Sequence, residues 1–300
     1  MERYRQIGVF LTGSPADDEA LGFAGRIAEL ARSEKLLCVY VHGGGPESEP
    51  PVEVQFDELR REVISALPEA VARNAEIDVH EGGGLTDILR ITRDRELDLI
   101  AQGRRLPAHQ AAVGSAFTRL TRKAPCSVLI VPNYCRPHVS RLHVAVDFSE
   151  HSRLAVETAI DIARASAGTG EGDEAQILVH TVYTVGYGYH MVGMDFTEAM
   201  AKQCEVTRQK LAEFLADIDT AGVPLEAICT CSEDPAAGVH ALAAARKMDM
   251  IVAGSRGLSR AAAVILGGTA ERILLHAPQP VLIVKRKGET TTLLNALLGA

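Results

Sequence analysis

The chain has 300 residues, of which 47% are hydrophobic and 23% are charged, so wholesale disorder and a fibrous composition are excluded. Its formal net charge of −8, with 4% aromatic residues and no tryptophan, argues against a broad nucleic-acid-binding surface. The length favours two domains, and because the N-terminal apolar run (Ile7 to Leu11) and all later ones are too short for a signal or a membrane span, we expect a cytoplasmic protein.

Short aliphatic runs alternate with helical patterns along the chain, most clearly in its second half. In chain order, the patterns there predict strand 144–146, helix 152–167, strand 177–182, helix 197–218, strand 225–230, helix 236–247, strand 250–253, helix 268–276 and strand 281–284. The core face of helix 197–218 is assigned to Met200, Val206, Leu211, Phe214, Leu215 and Ile218. Because the strands are apolar throughout and alternate with helices, the predicted fold class is α/β, with a doubly wound parallel sheet in each domain.

The second half repeats the first. Residues 97–103 (LDLIAQG) match residues 248–254 (MDMIVAG), and residues 124–131 (APCSVLIV) match residues 277–284 (APQPVLIV), at offsets of 151 and 153 residues. The opening strands match at an offset of 135, so the second copy is longer in its middle. A short segment at 134–140 separates the copies. We therefore predict two tandem domains of one design, residues 1–137 and 138–300.

The segment after strand 250–253 has the layout of a phosphate-binding loop. Gly254-Ser255-Arg256-Gly257 follows the strand, and after nine further residues Gly267-Gly268-Thr269 opens a helix. Glycines let backbone N–H groups approach anionic oxygens, a helix start carries unpaired donors, and Thr269 and Arg256 add a hydroxyl and a charge. Such glycines also serve ordinary turns and helix caps, so this segment alone leaves both interpretations open.

Several segments together resemble the universal stress protein family in its tandem two-domain form. They are the spacing of Gly254, Gly257 and Gly267, the opening VAVDFSE at 144–150, the strand end Val179-His180-Thr181, and the closing HAPQPVLIV at 276–284. The resemblance covers nearly the whole chain. It implies Rossmann-like domains that bind ATP, with Mg²⁺ left open, and at most slow hydrolysis.

Carried over by position, the resemblance implies a nucleotide site in the second domain. It implies that Asp147 and the backbone around Thr181 lie at the adenine or ribose, that Ala145 lies under the base, and that Ala253 and Gly254 lie near the ribose. Around the phosphates it implies Gly257, Gly267, Gly268 and Thr269, and Arg256 is a candidate source of charge. The family pattern has Ser or Thr where this chain has Gly268. Since one hydrogen bond contributes about 0.5–1.5 kcal/mol, we expect weaker affinity rather than none.

The first half departs from this pattern. Thr12 stands where the second half has Asp147, Leu106 replaces the second glycine, and only seven residues, Pro107 to Val113, precede Gly114-Ser115. A leucine side chain would fill the space where backbone meets phosphate, so we predict that the first domain does not bind nucleotide in the family's way and serves packing or another ligand. Arg104 and Arg105 are interpreted as solvated charges, with a site for a small anion as the alternative.

The candidate site contains no evident nucleophile with its base, no Walker lysine and no paired carboxylates, so no catalysis beyond weak ATP hydrolysis is predicted. His151 and His180 lie near the same strand ends and are interpreted as structural. The expected function is a stress-response protein that uses bound ATP as a state marker for regulation or scaffolding. The alternatives are a ligand-binding or interaction protein without ATP, and a slow ATP hydrolase.

Two segments and one strand pair concern assembly. The insertion 183–194, with three tyrosines and three glycines, is interpreted as a lid, an interface or the wall of a second ligand site, with a plain surface loop as the alternative. The glycine-rich stretch 168–172 also lengthens this half. The tail at 290–298 is expected to dock on the chain itself or on a partner. The resemblance implies that strands 128–131 and 281–284 pair within the chain as a pseudo-dimer, with a homodimer left open.

Six cysteines are spread along the chain without a CxxC motif or a histidine cluster, so neither a disulfide framework nor a zinc site is indicated. Cys229 and Cys231 lie on one face of a predicted strand. They are interpreted as buried core thiols, with a redox pair as the alternative.

Overall fold

The computed structural model describes residues 3–42, 56–81, 84–105, 111–167, 175–186, 188–257 and 266–288. Its contacts divide the chain into two compact units, one formed by Met1–His138 with Pro278–Ala300 and the other by Val139–Ala277. Some features singled out in the sequence lie outside the described residues, namely Leu106, the segment 107–110, the glycine-rich segment 168–172, Tyr187 and the tail 290–298.

Strands and helices alternate along the described chain. In chain order they are β1 (Gln6–Leu11), α1 (Asp17–Ala31), β2 (Lys35–His42), α2 (Phe56–Ala66), α3 (Glu69–Ala72), β3 (Ala75–Glu81), α4 (Leu85–Asp94), β4 (Leu99–Arg104), α5 (Ala111–Lys123), β5 (Ser127–Pro132), β6 (Arg141–Ala145), α6 (Glu150–Ala167), β7 (Gln176–Tyr183), α7 (Phe196–Ala216), β8 (Leu225–Cys231), α8 (Pro235–Ala245), β9 (Met250–Gly254), α9 (Gly268–His276) and β10 (Val281–Val284). A short 3₁₀ helix at Tyr189–Val192 precedes α7. Each strand and helix predicted for the second half is present, with bounds within three residues of the prediction.

In the first unit the strand order is β3-β2-β1-β4-β5-β10. Strands β1 to β5 pair in parallel, whereas β10 runs antiparallel to β5, with Leu282 opposite Leu129. Strand β5 is buried at every position and β1 at every position but its first. This burial is what strands covered on both faces require.

Strand β10 belongs by sequence to the second repeat and by its contacts to the first unit. Just after it, the buried Lys285 donates from Nζ to the main-chain carbonyls of Thr121 and Ala124 at the end of α5. The N–H of Lys285 donates to Oγ of Ser127 at 3.1 Å. The lysine therefore satisfies carbonyls that a helix end leaves without partners, and it anchors the chain beyond β10.

In the second unit the strand order is β9-β6-β7-β8, and all of these strands pair in parallel. Strand β6 lies between β7 and β9, so the connections on its two sides leave in opposite directions. A crevice opens at the carboxyl ends of strands at such a switch point. The predicted fold class, two doubly wound α/β domains in tandem, is confirmed.

Helix α7 and strand β8 are more exposed than the sequence predicts. In the core face assigned to α7, Leu211 is buried but Val206 is 40% exposed. Strand β8 lies at the edge of its sheet, so Cys229 is half-buried and Cys231 is exposed. The interpretation of these two cysteines as buried core thiols is therefore wrong. Among the described helices, none is both long enough and apolar enough to cross a membrane.

Candidate functional site

A cavity of about 420 Å³ opens at the carboxyl ends of β6, β7 and β9 in the second unit. The first turns of α8 and α9 complete its wall. All ten residues assigned from the sequence to a nucleotide site line this cavity, namely Ala145, Asp147, Thr181, Ala253, Gly254, Arg256, Gly257, Gly267, Gly268 and Thr269. The fold thus brings together residues that are far apart in the chain.

Helix α9 presents its N-terminus to the cavity. Its N-cap, Gly267, has an extended backbone, and as a glycine it offers no side-chain acceptor to the N–H groups of Gly268 and Thr269. The N–H of Gly267 donates to the carbonyl of Ser255 at 2.9 Å, which ties the two glycine segments together. An uncapped helix start favours a bound anion, because its N–H groups and the positive end of the dipole face outward.

Close contacts explain two of the loop glycines. A Cβ on Gly254 would lie 2.6 Å from the carbonyl carbon of His151 in the first turn of α6, and a Cβ on Gly103 of the first unit would overlap the carbonyl of Ala16. In each unit, therefore, the glycine at this position lets a helix pack on a strand end. A Cβ on Gly257 would overlap Oδ2 of Asp147, so the Asp147 carboxylate lies directly against the glycine loop.

A tight turn after β6 holds Asp147 at the rim of the cavity. Its Oδ1 accepts a hydrogen bond from the N–H of Ser149 at 3.1 Å, and Ser149 Oγ donates to the carbonyl of Arg256 at 3.2 Å. Between them, Phe148 has φ of 67°, a left-handed conformation that costs a non-glycine residue about 1–2 kcal/mol. The Phe148 ring packs edge-on against Phe214, with 5.8 Å between ring centroids. These contacts fix the backbone that carries the exposed carboxylate.

Two hydrogen-bonded histidines, His143 and His180, lie at the cavity and are uncharged. His180 lines it, with Nδ1 3.0 Å from Nε2 of His143 and Nε2 2.7 Å from Oγ1 of Thr230. Burial lowers the pKa of His143 to about 3 and the pKa of His180 to about 4. His180 is therefore neutral at physiological pH and contributes no charge to the cavity.

Apolar side chains that the sequence analysis did not assign complete the wall, together with Ser152 and Pro235. They are Val146, Phe148, Val182, Val239, Ala270 and Ile273. Val146 and Val182 were discoverable because they adjoin Asp147 and Thr181, but Val239 and Ile273 lie on helices that carry no motif. An apolar wall beside an uncapped helix start suits a ligand that combines a ring with an anionic group.

The corresponding strand end of the first unit is occupied by the chain's own carboxylate. Oδ2 of Asp17 accepts hydrogen bonds from the N–H groups of Thr12, Gly13 and Ser14 at 2.6, 2.8 and 3.2 Å. Successive amides that converge on one oxygen form an anion-binding nest. Burial raises the pKa of Asp17 to about 7, while the three amides oppose that rise. At the matching position of the second unit, Ser152 lines the cavity instead.

Arg104 and Arg105 have different environments. Arg104 is the last residue of β4 and is only 1% exposed, whereas Arg105 is exposed. The interpretation of Arg104 as a solvated charge is therefore wrong. The reason is that Arg104 still belongs to the strand. Its carbonyl accepts a hydrogen bond from the N–H of Asn133 at 3.0 Å, and its side chain is buried.

Comparison with known proteins decides the family. The family model of universal stress proteins matches residues 3–132 and 138–285. The chain belongs to the universal stress protein family. A universal stress protein of Thermus aquaticus is 30% identical over 142 residues, which cover 47% of this chain and 96% of the relative. A universal stress protein of Mycobacterium tuberculosis is 25% identical over 298 residues, which cover 93% of this chain and 96% of the relative.

Solved structures of other universal stress proteins are similar to this chain to different degrees. One from Archaeoglobus fulgidus DSM 4304 superimposes with a TM-score of 0.59 at 16% identity, covering 95% of this chain and 97% of its own. Another universal stress protein, solved in complex with cAMP, is 22% identical and covers 43% of this chain and 97% of its own, with a TM-score of 0.35.

Proposed function

We propose that the second unit of this universal stress protein binds an adenine nucleotide, with ATP as the expected ligand, and that the protein acts as a nucleotide-dependent regulator or scaffold in a stress response. The observation that carries the proposal is the convergence of ten residues from separate strands, a glycine loop and a helix start on one cavity of about 420 Å³. Small-molecule sites in proteins commonly measure about 300–1,000 Å³.

The base and ribose fit the end of the cavity formed by β6 and β7. Val146 and Val182 supply an apolar wall for the adenine ring, with Val239 of α8 on the same cavity. The exposed carboxylate of Asp147 is an acceptor for ribose hydroxyls or for the adenine amino group. Because His180 is neutral, it adds no positive charge that would compete for the phosphates.

The phosphates fit beyond Asp147, where Gly257 and the uncapped start of α9 meet. Backbone amides there serve as donors without side chains in the way, since a Cβ on Gly268 would meet no atom within 4 Å. Thr269 adds a hydroxyl and Arg256 adds a positive charge. Asp147 is the carboxylate among the described residues that line the cavity, which suits a Mg²⁺ ion that would keep most of its waters and take phosphate oxygens as ligands.

The first unit has a different role in the proposal. Asp17 fills its amide nest, which supports one nucleotide site per chain, with residues 1–137 as a degenerate domain and 138–300 as the binding domain. The antiparallel pairing of β5 with β10 supports an intramolecular pair of the two repeats. Location in the cytoplasm and further homodimerisation stay predictions from the sequence and the family.

We do not expect this site to hydrolyse ATP at an appreciable rate. Among the described residues that line the cavity, Asp147 supplies the carboxylate and there is no lysine, while the ring nitrogens of His180 are hydrogen-bonded to His143 and Thr230. We therefore expect bound ATP to persist and to mark a state of the protein.

Nucleotide carried by the purified full-length protein tests the proposal directly. The protein is heat-denatured, the supernatant is analysed by liquid chromatography and mass spectrometry, and nucleotide-free protein is titrated calorimetrically with ATP. We expect adenine nucleotide in the supernatant and one ATP site per chain. Failure to retain nucleotide together with failure to bind millimolar ATP would overturn the proposal, and two equivalent sites would overturn the assignment of the first unit.

A matched pair of variants locates the site. Asp147→Ala removes the acceptor at the rim and should weaken ATP binding by about 10-fold or more, since a hydrogen bond to a charged group contributes about 1.5–3 kcal/mol. Asp217→Ala, at the C-terminal end of α7 and outside the cavity, should leave binding unchanged. Gly254 is unsuitable for this purpose because a side chain there would displace α6. Equal ATP affinities of the two aspartate variants would contradict the assignment.

A further inference from the structure

A chain of hydrogen-bonded side chains joins β6, β7 and β8 at the cavity. Nε2 of His143 lies 3.0 Å from Nδ1 of His180, and Nε2 of His180 lies 2.7 Å from Oγ1 of Thr230. His143 is fully buried and His180 is only 1% exposed. Because both ring nitrogens of His180 have partners, the orientation of its ring is fixed from two sides. We refer to His143 and His180 as the histidine pair.

The outer nitrogen of His143 decides how the protons of this chain are arranged. Nδ1 of His143 is buried and has no hydrogen-bond partner among the described residues. A neutral imidazole carries one N–H, so the protons run in one of two directions. If Nε2–H of His143 donates to His180, and Nε2–H of His180 donates to Thr230, the outer nitrogen is bare. The opposite direction would leave a buried N–H there without an acceptor. Since buried donors without partners are rare, the first arrangement is favoured.

A third proton is costly for the histidine pair. The two rings share one proton between Nε2 of His143 and Nδ1 of His180, so a charged pair carries an N–H at both of its outer nitrogens. One of these is the buried Nδ1 of His143. Protonation therefore buries a charge and an unpaired donor together, and both cost free energy. In agreement, burial lowers the pKa of His143 to about 3 and the pKa of His180 to about 4.

His180 connects the histidine pair to the wall of the cavity. It lines the cavity beside Thr181 and Val182, and its carbonyl accepts a hydrogen bond from the N–H of Val146 at 2.8 Å. Val182 lies two residues further along β7, on the same face, and meets α8, since a Cβ on Gly238 would lie 3.1 Å from it. The pair therefore lies beside the part of the wall that we assign to the base.

The charged groups around the histidine pair do not stabilise a positive charge on it. Helix α8 covers this side of the sheet and contacts α9, with Nε2 of His240 3.3 Å from the carbonyl oxygen of Ile273. The titratable groups on this face of the strands and on the two helices are Arg141, Glu226, His240, Glu271, Arg272 and His276. Three of them have ion-pair partners of their own, and His240 acts electrostatically on His143. Among the described residues, no carboxylate is hydrogen-bonded to either ring of the pair.

We propose that His143 is a positioning residue of the nucleotide site, which holds His180 in the neutral Nε2–H form by donating a hydrogen bond to its Nδ1. The wall for the base then stays uncharged throughout the pH range in which histidine ordinarily titrates. The inference rests on the proposed function, because the base is what the wall receives. For His180 to carry a charge, its ring has to be hydrated from the open cavity, and a bound base displaces that water. Adenosine therefore binds the neutral form.

Glutamine at position 143 separates this role from packing. Its amide N–H donates to Nδ1 of His180 as His143 does, but after rotation of the amide its oxygen accepts from a protonated Nδ1. A charged His180 then has acceptors at both nitrogens, which His143 provides only by leaving its own Nδ1–H unpaired. In His143→Gln we expect the pKa of His180 to rise from about 4 toward the ordinary value of about 6.5.

NMR of the full-length protein with ¹⁵N-labelled histidine tests the arrangement without any nucleotide, since the shifts of the ring nitrogens report tautomer and charge. In the wild type we expect the proton on Nε2 of both rings and a neutral His180 at about pH 5.5. In His143→Gln, His180 should be largely charged at that pH. The matched control is His276→Gln, which changes an exposed histidine at the end of α9 and should leave the titration of His180 as in the wild type.

Calorimetric titration with adenosine measures the consequence for the site, because adenosine has no phosphates that titrate. The ratio of its Kd at about pH 5.5 to its Kd at about pH 8 should stay near 1 in the wild type and in His276→Gln. In His143→Gln the ratio should reach about four- to tenfold, which corresponds to a His180 pKa of about 6 to 6.5.

The wild-type spectra decide the proposal even if His143→Gln fails to fold. An N–H at Nδ1 of His143, or a charged His180 at about pH 5.5, would overturn it. The same holds if His180 titrates in His143→Gln as in the wild type, or if it titrates higher and the adenosine ratio stays near 1. Adenosine that bound none of these proteins would overturn the proposed base site, whereas the spectra would still decide the state of the histidine pair.

Discussion

Replacing Gly268 by serine tests the phosphate end of the cavity. Gly268 is the first residue of α9, and a Cβ there would meet no atom within 4 Å. It is not among the residues with positive φ, so a side chain strains nothing in the backbone. The new hydroxyl would stand beside the uncapped amides of the first turn, where we propose that the phosphates of ATP bind.

The expected gain follows from one added hydrogen bond. A hydroxyl that donates to a charged phosphate oxygen contributes about 1.5–3 kcal/mol, from which ordering of the serine side chain subtracts part. We therefore expect ATP to bind more tightly by about 1–2 kcal/mol, which is about a 5- to 30-fold lower Kd. Adenosine has no phosphates, so its Kd should not change.

Calorimetric titration with ATP and with adenosine measures both values. Gly84→Ser is the matched control, because Gly84 caps α4 in the first unit and a Cβ there also meets no atom within 4 Å. Both serines should raise the free energy of unfolding slightly, since serine suits a helix start better than glycine, but only Gly268→Ser should tighten ATP binding. If ATP affinity stayed constant in Gly268→Ser, or if adenosine gained as much as ATP, the phosphates would not lie at the start of α9.

Three further predictions concern stability. Lys285→Met leaves the carbonyls at the end of α5 without their donor and should lower the free energy of unfolding in urea by about 2–4 kcal/mol. Lys287→Met, which removes a largely exposed lysine from its ion pair with Asp98, should lower it by at most about 1 kcal/mol. Burial lowers the pKa values of His143 and His180 below the ordinary 6.5, so the unfolded state binds protons that the folded state does not; stability should be full above pH 6.5 and decline toward pH 4. Urea unfolding across that range should show a shallower decline in His143→Gln, and an equally steep one would contradict the assignment. Asp17→Ser leaves the amide nest without its acceptor and should cost about 1–3 kcal/mol in thermal unfolding, so a variant as stable as the wild type would show that the nest contributes nothing.

The helices and strands were predictable because their signals are local. Helix α9 and strand β10 begin and end at the predicted residues, since a glycine opens the helix, Pro278 follows it and four aliphatic residues form the strand. Exposure was less predictable. Val206 has the right spacing for a core face but is 40% exposed, because burial depends on which elements pack on that part of α7.

The residues of the candidate site were likewise predictable only in part. Its ten assigned residues follow from the family resemblance and from the glycine spacing that supports it, and all of them line the cavity. Val239 and Ile273 were missed because their helices reach the cavity only through the packing of the second unit. The closure of the first unit's nest by Asp17 was missed for a similar reason: nothing in the sequence distinguishes a carboxylate that turns back onto amides from one in solvent.

The sequence by itself determined two repeats of an α/β design and placed a glycine loop in the second of them, because periodicity and glycine spacing are properties of neighbouring residues. Tertiary structure decided which strands pair. The four aliphatic residues of β10 are compatible with many partners, and the structure pairs them with β5 of the first unit, where Lys285 anchors the segment. Local sequence specifies what an element is, whereas its partners depend on the burial of surface between distant segments.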